Sequence, residues 1–270
     1  MQALISNRTR AFVNISANDR SDRSCRYGFG FGMHSATSPG EKILIIKTAW
    51  GGKTIAEDFR PPSSVADPQG KGQFDTGPNV VGHYYTRMMT IVEQIMAPGV
   101  IATMFPDLAG LEPEISGFGW FQGWNDGCDL NQTAAYEANM VNLIKDVRTA
   151  WKKPALPVTI AASGFDGFYG EEKTVSPPGC FEEEPSIKCN CANDRGCRRL
   201  DVVRSQFNAA NATRHPELGG HVITMETRGF WRDAKYSPNH GQGYHFWHNA
   251  ETYYLIGQAM AKGMLSLLPK

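Results

Sequence analysis

Two short blocks carry side chains suited to chemistry. The first, FGWFQGWNDGC, ends an aromatic run in Gln122-Gly123-Trp124-Asn125-Asp126. Gly123 frees the backbone to turn sharply. Asn125 then offers a neutral amide with two N–H donors, a group suited to an oxyanion. The same residue would suit an Asx-type turn capping the next helix, and on spacing alone that role is the commoner one. The second block, NHGQGYHFWHNAETYYLIG, sets His240, His245 and His248 just ahead of an amphipathic segment. A histidine held at a helix entry can act as a general base. Asn249 suits that helix's N-cap, with Glu251 in its first turn. His245 and His248 could pair on a metal, but no H-E-x-x-H or carboxylate partner completes such a site.

A third block, ILIIKTAWGGKTI from Ile43 to Ile55, runs from an apolar strand into Gly51-Gly52-Lys53-Thr54. It is not a phosphate loop. The first glycine of G-x-x-x-x-G-K-[ST] would fall on Lys47, and bulky Trp50 stands inside the loop. Its glycines must serve another purpose.

These blocks need a scaffold. Apolar runs that end in turn residues predict strands at KILIIKTAW, ISGFGWFQG, LPVTIAAS and GHVITMET. Helical spacing predicts helices at HYYTRMMTIVEQIM, TAAYEANMVNLIKDVRTAW, LDVVRSQFNAANATRH and AETYYLIGQAMAKGMLSLL. Alternation of the two implies a parallel sheet covered on both faces. Ligands bind such sheets beyond the carboxyl ends of the strands, where the WGG and GWND turns fall. Residues 60–82 and 164–196 are rich in Gly, Pro and charge and are expected to be long loops.

The totals fit one α/β domain. The chain has 270 residues, with 27 Lys+Arg balancing 27 Asp+Glu, so no basic excess points to nucleic acid or an anionic membrane. No apolar run approaches the length of a transmembrane helix. Six cysteines, four of them in PPGCFEEEPSIKCNCANDRGC, lack the paired C-x2-C spacing of zinc knuckles. They suggest a disulfide-stapled insertion over residues 164–199 of a single domain spanning 1–270. With sequons at Asn7, Asn14, Asn131 and Asn211, they point to a secreted, glycosylated protein. MQALISNRTR is not a signal peptide, so the start of the gene product is expected to lie outside this chain.

Taken together, KTAWGGKT, GFGWFQGWND and YHFWHNAETYYLIG resemble the sialate O-acetylesterase and acetylxylan-esterase branch of the SGNH hydrolases, from about Tyr27 to the C-terminus. The resemblance implies a flavodoxin-like three-layer α/β/α sandwich that removes acetyl groups from carbohydrates through an acyl-enzyme, with no cofactor. It makes Asn125 and the Gly52 backbone N–H the oxyanion donors and His245 the catalytic histidine. Gly51, Gly123, Asp126, Gln122 and Gln242 would support them. Trp124, Phe246 and Trp247 could stack on sugar rings, though aromatics near strand ends are as often core.

Two departures stand out. No Gly-Gln-Ser or Gly-Asp-Ser occurs; Ser6-Asn7 is the only Ser-Asn pair, without a preceding glycine. The first strand and its serine are therefore expected to be missing from this chain. The family's Asp-x-x-His acid position is Gln242, which leaves Glu226 or Asp233 as substitutes, or a Ser-His dyad. The alternative function is a non-catalytic carbohydrate-binding protein of the same fold.

Overall fold

The computed structural model describes residues 8–15, 42–64, 82–168 and 195–268. Five parallel strands form one sheet in the order β2-β1-β3-β4-β5. They are β1 (Arg8–Ile15), β2 (Lys42–Lys47), β3 (Glu112–Trp120), β4 (Val158–Ala161) and β5 (Val222–Met225). The helices are α1 (His83–Met96), α2 (Val100–Met104), α3 (Leu130–Ala150), α4 (Arg195–Ala209) and α5 (Ala250–Leu267).

The sheet is covered on both faces, which makes the three-layer α/β/α sandwich. On one face Val13, Ile46, Phe118, Trp120, Val158 and Ile160 pack under α1, α3 and α4. On the other, Phe12, Phe121 and Ala161 pack under Tyr253, Ile256, Met260 and Met264 of α5. Successive strand residues point to opposite faces, so Phe12 and Val13 serve different layers. Asp129 caps α3 by accepting from Asn131 N and Gln132 N, and Asn249 caps α5 by accepting from Thr252 N, as its position predicts.

The expectation that the first strand is missing is overturned. Arg8–Ile15 fills the place between β2 and β3, with Ile15 in register with Trp120. Its core, Ala11-Phe12-Val13, is wholly buried. RTRAFVNI does not announce itself in the sequence, because Arg8, Thr9 and Arg10 leave too short an apolar run to read as a buried parallel strand. Three apolar residues suffice here because helices cover both faces: Phe12 packs under α5 and Val13 on the opposite layer. Ser6 lies outside the described residues; in sequence it precedes β1, whereas the turns of interest follow the carboxyl ends of their strands.

The far end of the expected cysteine-rich loop also differs. Residues 195–199 are the first turn of α4, with Arg198 buried. Residues 169–194, with Cys180, Cys189 and Cys191, lie outside the described residues, as do Cys25 and Asn7. Cys128 carries a free, exposed thiol. Asn131 and Asn211 are exposed, while Asn14 lies within β1.

At the amino ends of β4 and β5, buried Arg148 donates to the carbonyls of Leu156, Leu218 and His221 at 2.8–3.1 Å. That end of the sheet is stapled by one guanidinium. The opposite end opens into a cavity.

Candidate active site

A cavity of about 300 Å³ lies beyond the carboxyl ends of the strands. Gly51, Gly52, Gln122, Gly123, Asn125 and His245 all line it. The three sequence blocks therefore meet at one place. Trp50, Lys53, Phe59, Phe121, Trp124, Phe165 and Tyr244 complete the wall.

The turn after β2 and the turn after β3 face each other. Gly52 has φ 69°, a left-handed conformation suited to glycine. A Cβ built there would lie 3.9 Å from Asn125 Nδ2, so the Gly52 backbone and the Asn125 amide are neighbours. Asn125 opens a single 3₁₀ turn, Asp126–Cys128, but its side chain makes no capping bond; Asp129 caps α3 instead. The capping role that spacing alone favours is thus taken by another residue.

Gly123 is where it is for steric reasons. A Cβ at Gly123 would sit 2.3 Å from Ser163 Oγ and 2.8 Å from Val202 Cγ1. Its turn must pass that close because a buried polar network hangs from Gln122. The Gln122 carbonyl accepts from Tyr136 Oη at 2.8 Å, Gln206 Nε2 at 2.9 Å and Ser163 Oγ at 3.0 Å. Trp120 Nε1 donates to Tyr136 Oη, and Ser163 N donates to Gln206 Oε1. Burial, with Asp126's charge second, holds the Tyr136 phenol far above its ordinary range, so it stays a neutral donor.

Asp126 lies beneath the cavity, fully buried. Ile55 N donates to both of its carboxylate oxygens at 3.1 Å, Ala56 N to Oδ1 at 3.1 Å and Gln122 Nε2 to Oδ2 at 2.6 Å. Burial pushes its carboxyl up to about 7, while these hydrogen bonds pull the other way. Lys53 pairs with Asp58 at 3.1 Å and lies 4.4 Å from the Tyr84 ring centroid. Burial works to lower the Lys53 pKa; the hydrogen bond and charge of Asp58 outweigh it and raise it.

The wall that His245 lines is built differently. His245 sits in the 3₁₀ stretch Gly243–His248, its backbone N–H donating to Gln242 O at 2.9 Å. The next three residues, Phe246, Trp247 and His248, all have positive φ: 49°, 54° and 58°. For L-residues each costs roughly 1–2 kcal/mol. Phe246 anchors them. It is buried against Phe121, Phe165, Trp231 and Tyr253, with ring centroids 4.8–5.8 Å apart. Phe246 is thus a core residue and not a sugar platform. Trp247 packs on Trp231 and does not line the cavity. Trp124 does, edge-on to Phe165 and 5.7 Å from Tyr244, with the Arg199 guanidinium 3.5 Å from its ring centroid.

Gln242 lines no part of the cavity; its side-chain oxygen faces Asn239 Nδ2 at 3.5 Å. It reaches His245 through its backbone. Glu226 is exposed and taken up by Arg228 in a 2.6 Å ion pair. Asp233 is exposed ahead of the 3₁₀ turn Ala234–Tyr236, and exposed His240 stands outside the cavity. Ser163 and Gln206 were missed by sequence reading; the one available signal was a polar residue closing the buried run VTIAAS. Among the described residues lining the cavity there is no serine, threonine or cysteine.

The family model of carbohydrate esterases described as sialic acid-specific acetylesterases matches residues 9–176. No curated protein matches the chain. Among solved structures, an Arabidopsis thaliana protein determined by X-ray crystallography at 1.6 Å matches with a TM-score of 0.56 and 15% sequence identity. The match covers 95% of this chain and 98% of that one. At that identity the likeness speaks for the fold alone.

Proposed function

Because this chain belongs to the carbohydrate esterase family of sialic acid-specific acetylesterases, we propose that it hydrolyses acetyl esters on sugars through an acyl-enzyme. The observation that carries this reading is the meeting of three groups at one cavity. The Gly52 backbone and the Asn125 amide lie side by side, and His245 lines the same cavity.

In the first half-reaction His245 takes the proton of a serine hydroxyl as its oxygen attacks the acetyl carbonyl. Negative charge develops on the carbonyl oxygen, and the Gly52 N–H and Asn125 Nδ2 stabilise it. Collapse breaks the ester bond, and His245 returns the proton to the departing sugar oxygen. Water repeats the sequence on the acyl-enzyme and releases acetate. Trp50, Trp124 and Tyr244 offer ring surface for the sugar. The cavity is at the lower end of small-ligand sites, suited to a single sugar unit.

The nucleophile is not among the described cavity residues. β1 ends at Ile15 between the ends of β2 and β3, so the connection from β1 to β2 starts between the two turns. Labelling with a fluorophosphonate, followed by peptide mapping, is expected to place one adduct on a serine of residues 16–41, and His245→Ala is expected to abolish it. Folded protein that takes no label and releases no acetate, yet binds acetylated sugar, would make this a binding protein instead.

A further inference from the structure

The two turns that would hold the oxyanion come from strands far apart in sequence, and one buried carboxylate ties them together. Ile55 and Asp126 are separated by 71 positions. Asp126 follows Asn125 directly, while Ile55 and Ala56 follow Gly52 by three and four residues. Gln122 doubles the tie, because its Nε2 donates to Lys53 O at 2.9 Å as well as to Asp126.

We propose that Asp126, assisted by Gln122, is the positioning residue of this site: it locks the Gly52 turn to the Asn125 turn so that both oxyanion donors are set before substrate arrives. This rests on the esterase reading above.

The physical case is one of cost. A carboxylate removed from water is expensive unless hydrogen bonds satisfy it. The nearby cation, Lys53, is spent on Asp58, so Asp126 is held by N–H donors. Three donors converge on its two oxygens. A purely structural filler at this depth would be apolar. Only an acceptor on both oxygens can satisfy two consecutive backbone N–H groups and a side-chain amide at once. The Gly52 turn also has its own internal brace. Thr54 N donates to Asp58 Oδ2 at 3.0 Å and Phe59 N to Thr54 O at 2.9 Å. It is therefore a small rigid turn hung from Asp126, and a shift of that anchor moves Gly52 with it.

Asp126→Asn keeps the shape but turns one oxygen into a donor that faces N–H groups. Gln122→Met removes both Nε2 bonds and the 3.3 Å bond from Tyr136 Oη to Oε1, and leaves the Gln122 main-chain carbonyl with its three donors. Two readouts separate positioning from mere stability. On an acetylated sugar each variant is expected to lose about 100-fold in kcat, the effect of misplacing a reacting group by roughly 1 Å, with KM within about twofold. Adding Asn125→Ala to either variant should cost far less than it does in the wild-type protein, because the pair then no longer acts as a unit. By amide hydrogen exchange, Ile55 and Ala56 should exchange faster in both variants while Phe118 and Val158, in the strands, keep their protection. Full kcat in the variants, or a uniform loss of protection through the sheet, overturns the proposal. If Asp126→Asn does not fold, Gln122→Met still decides it. Should the wild-type protein release no acetate, the esterase reading fails by itself, and unchanged protection at Ile55 and Ala56 in the variants would sink the tie separately.

Discussion

The two walls of the cavity are held by opposite means. The oxyanion wall, from Gly51 to Asp126, is fixed by buried hydrogen bonds, and its positive φ falls on glycine. The histidine wall, from Gly243 to His248, places positive φ on three bulky residues in succession. It rests on aromatic packing, and the buried indole N–H of Trp247 has no hydrogen-bond partner among the described residues. The first wall stores little strain and has little freedom. The second carries strain that its aromatic packing and the backbone hydrogen bonds of Phe246 and Trp247 offset. That contrast suits the division of labour proposed above. Oxyanion donors work best when preset, whereas a base that passes a proton from nucleophile to leaving group gains from a small adjustment between the two steps.

The largest effect should come from removing the packing that pins the strained wall. Phe246→Ala is expected to destabilise the fold by about 3–5 kcal/mol, as for a fully buried aromatic. Chemical denaturation reads this, and a cost below 1 kcal/mol would mean that Phe246 pins nothing. On the other wall the corresponding change is polar. Tyr136→Phe keeps the ring but strips the hydroxyl that serves Trp120, Gln122 and Gln206. Leaving buried groups unsatisfied should cost about 1–3 kcal/mol, measured the same way. The smallest change in stability tests glycine against strain directly. Gly52→Ala meets no atom closer than 3.9 Å, so its cost is conformational alone, about 1 kcal/mol. Its kcat should fall more than its stability, since the displaced N–H is an oxyanion donor. A stability loss as large as that of Phe246→Ala would show the two walls to be alike.

The four long helices and four of the strands were legible in the sequence, because amphipathic spacing and buried apolar runs are local signals; the short α2 was not. HYYTRMMTIVEQIM is helical from end to end. So were Asn249 as a cap and the placing of the WGG and GWND turns at strand ends; His245 was tied to them by family resemblance. β1 was not legible, since its apolar run is only Ala11-Phe12-Val13 and the helices that bury it from both faces are distant in sequence. Phe246 stayed open between core and sugar platform, because an aromatic beside a catalytic-looking histidine fits either until its neighbours are known.

What the sequence determined by itself is the set of turns and the residue types they carry, because a strand that ends in Gly-Gly or Gly-x-Asn-Asp has few ways to continue. What only the tertiary structure decided is how those turns meet. The parallel sheet brings Ile55 to Asp126 and Gly52 to Asn125. Burial at that junction raises the Asp126 carboxyl to about 7. Both are properties of groups distant in the chain and close in space, and no local pattern encodes them.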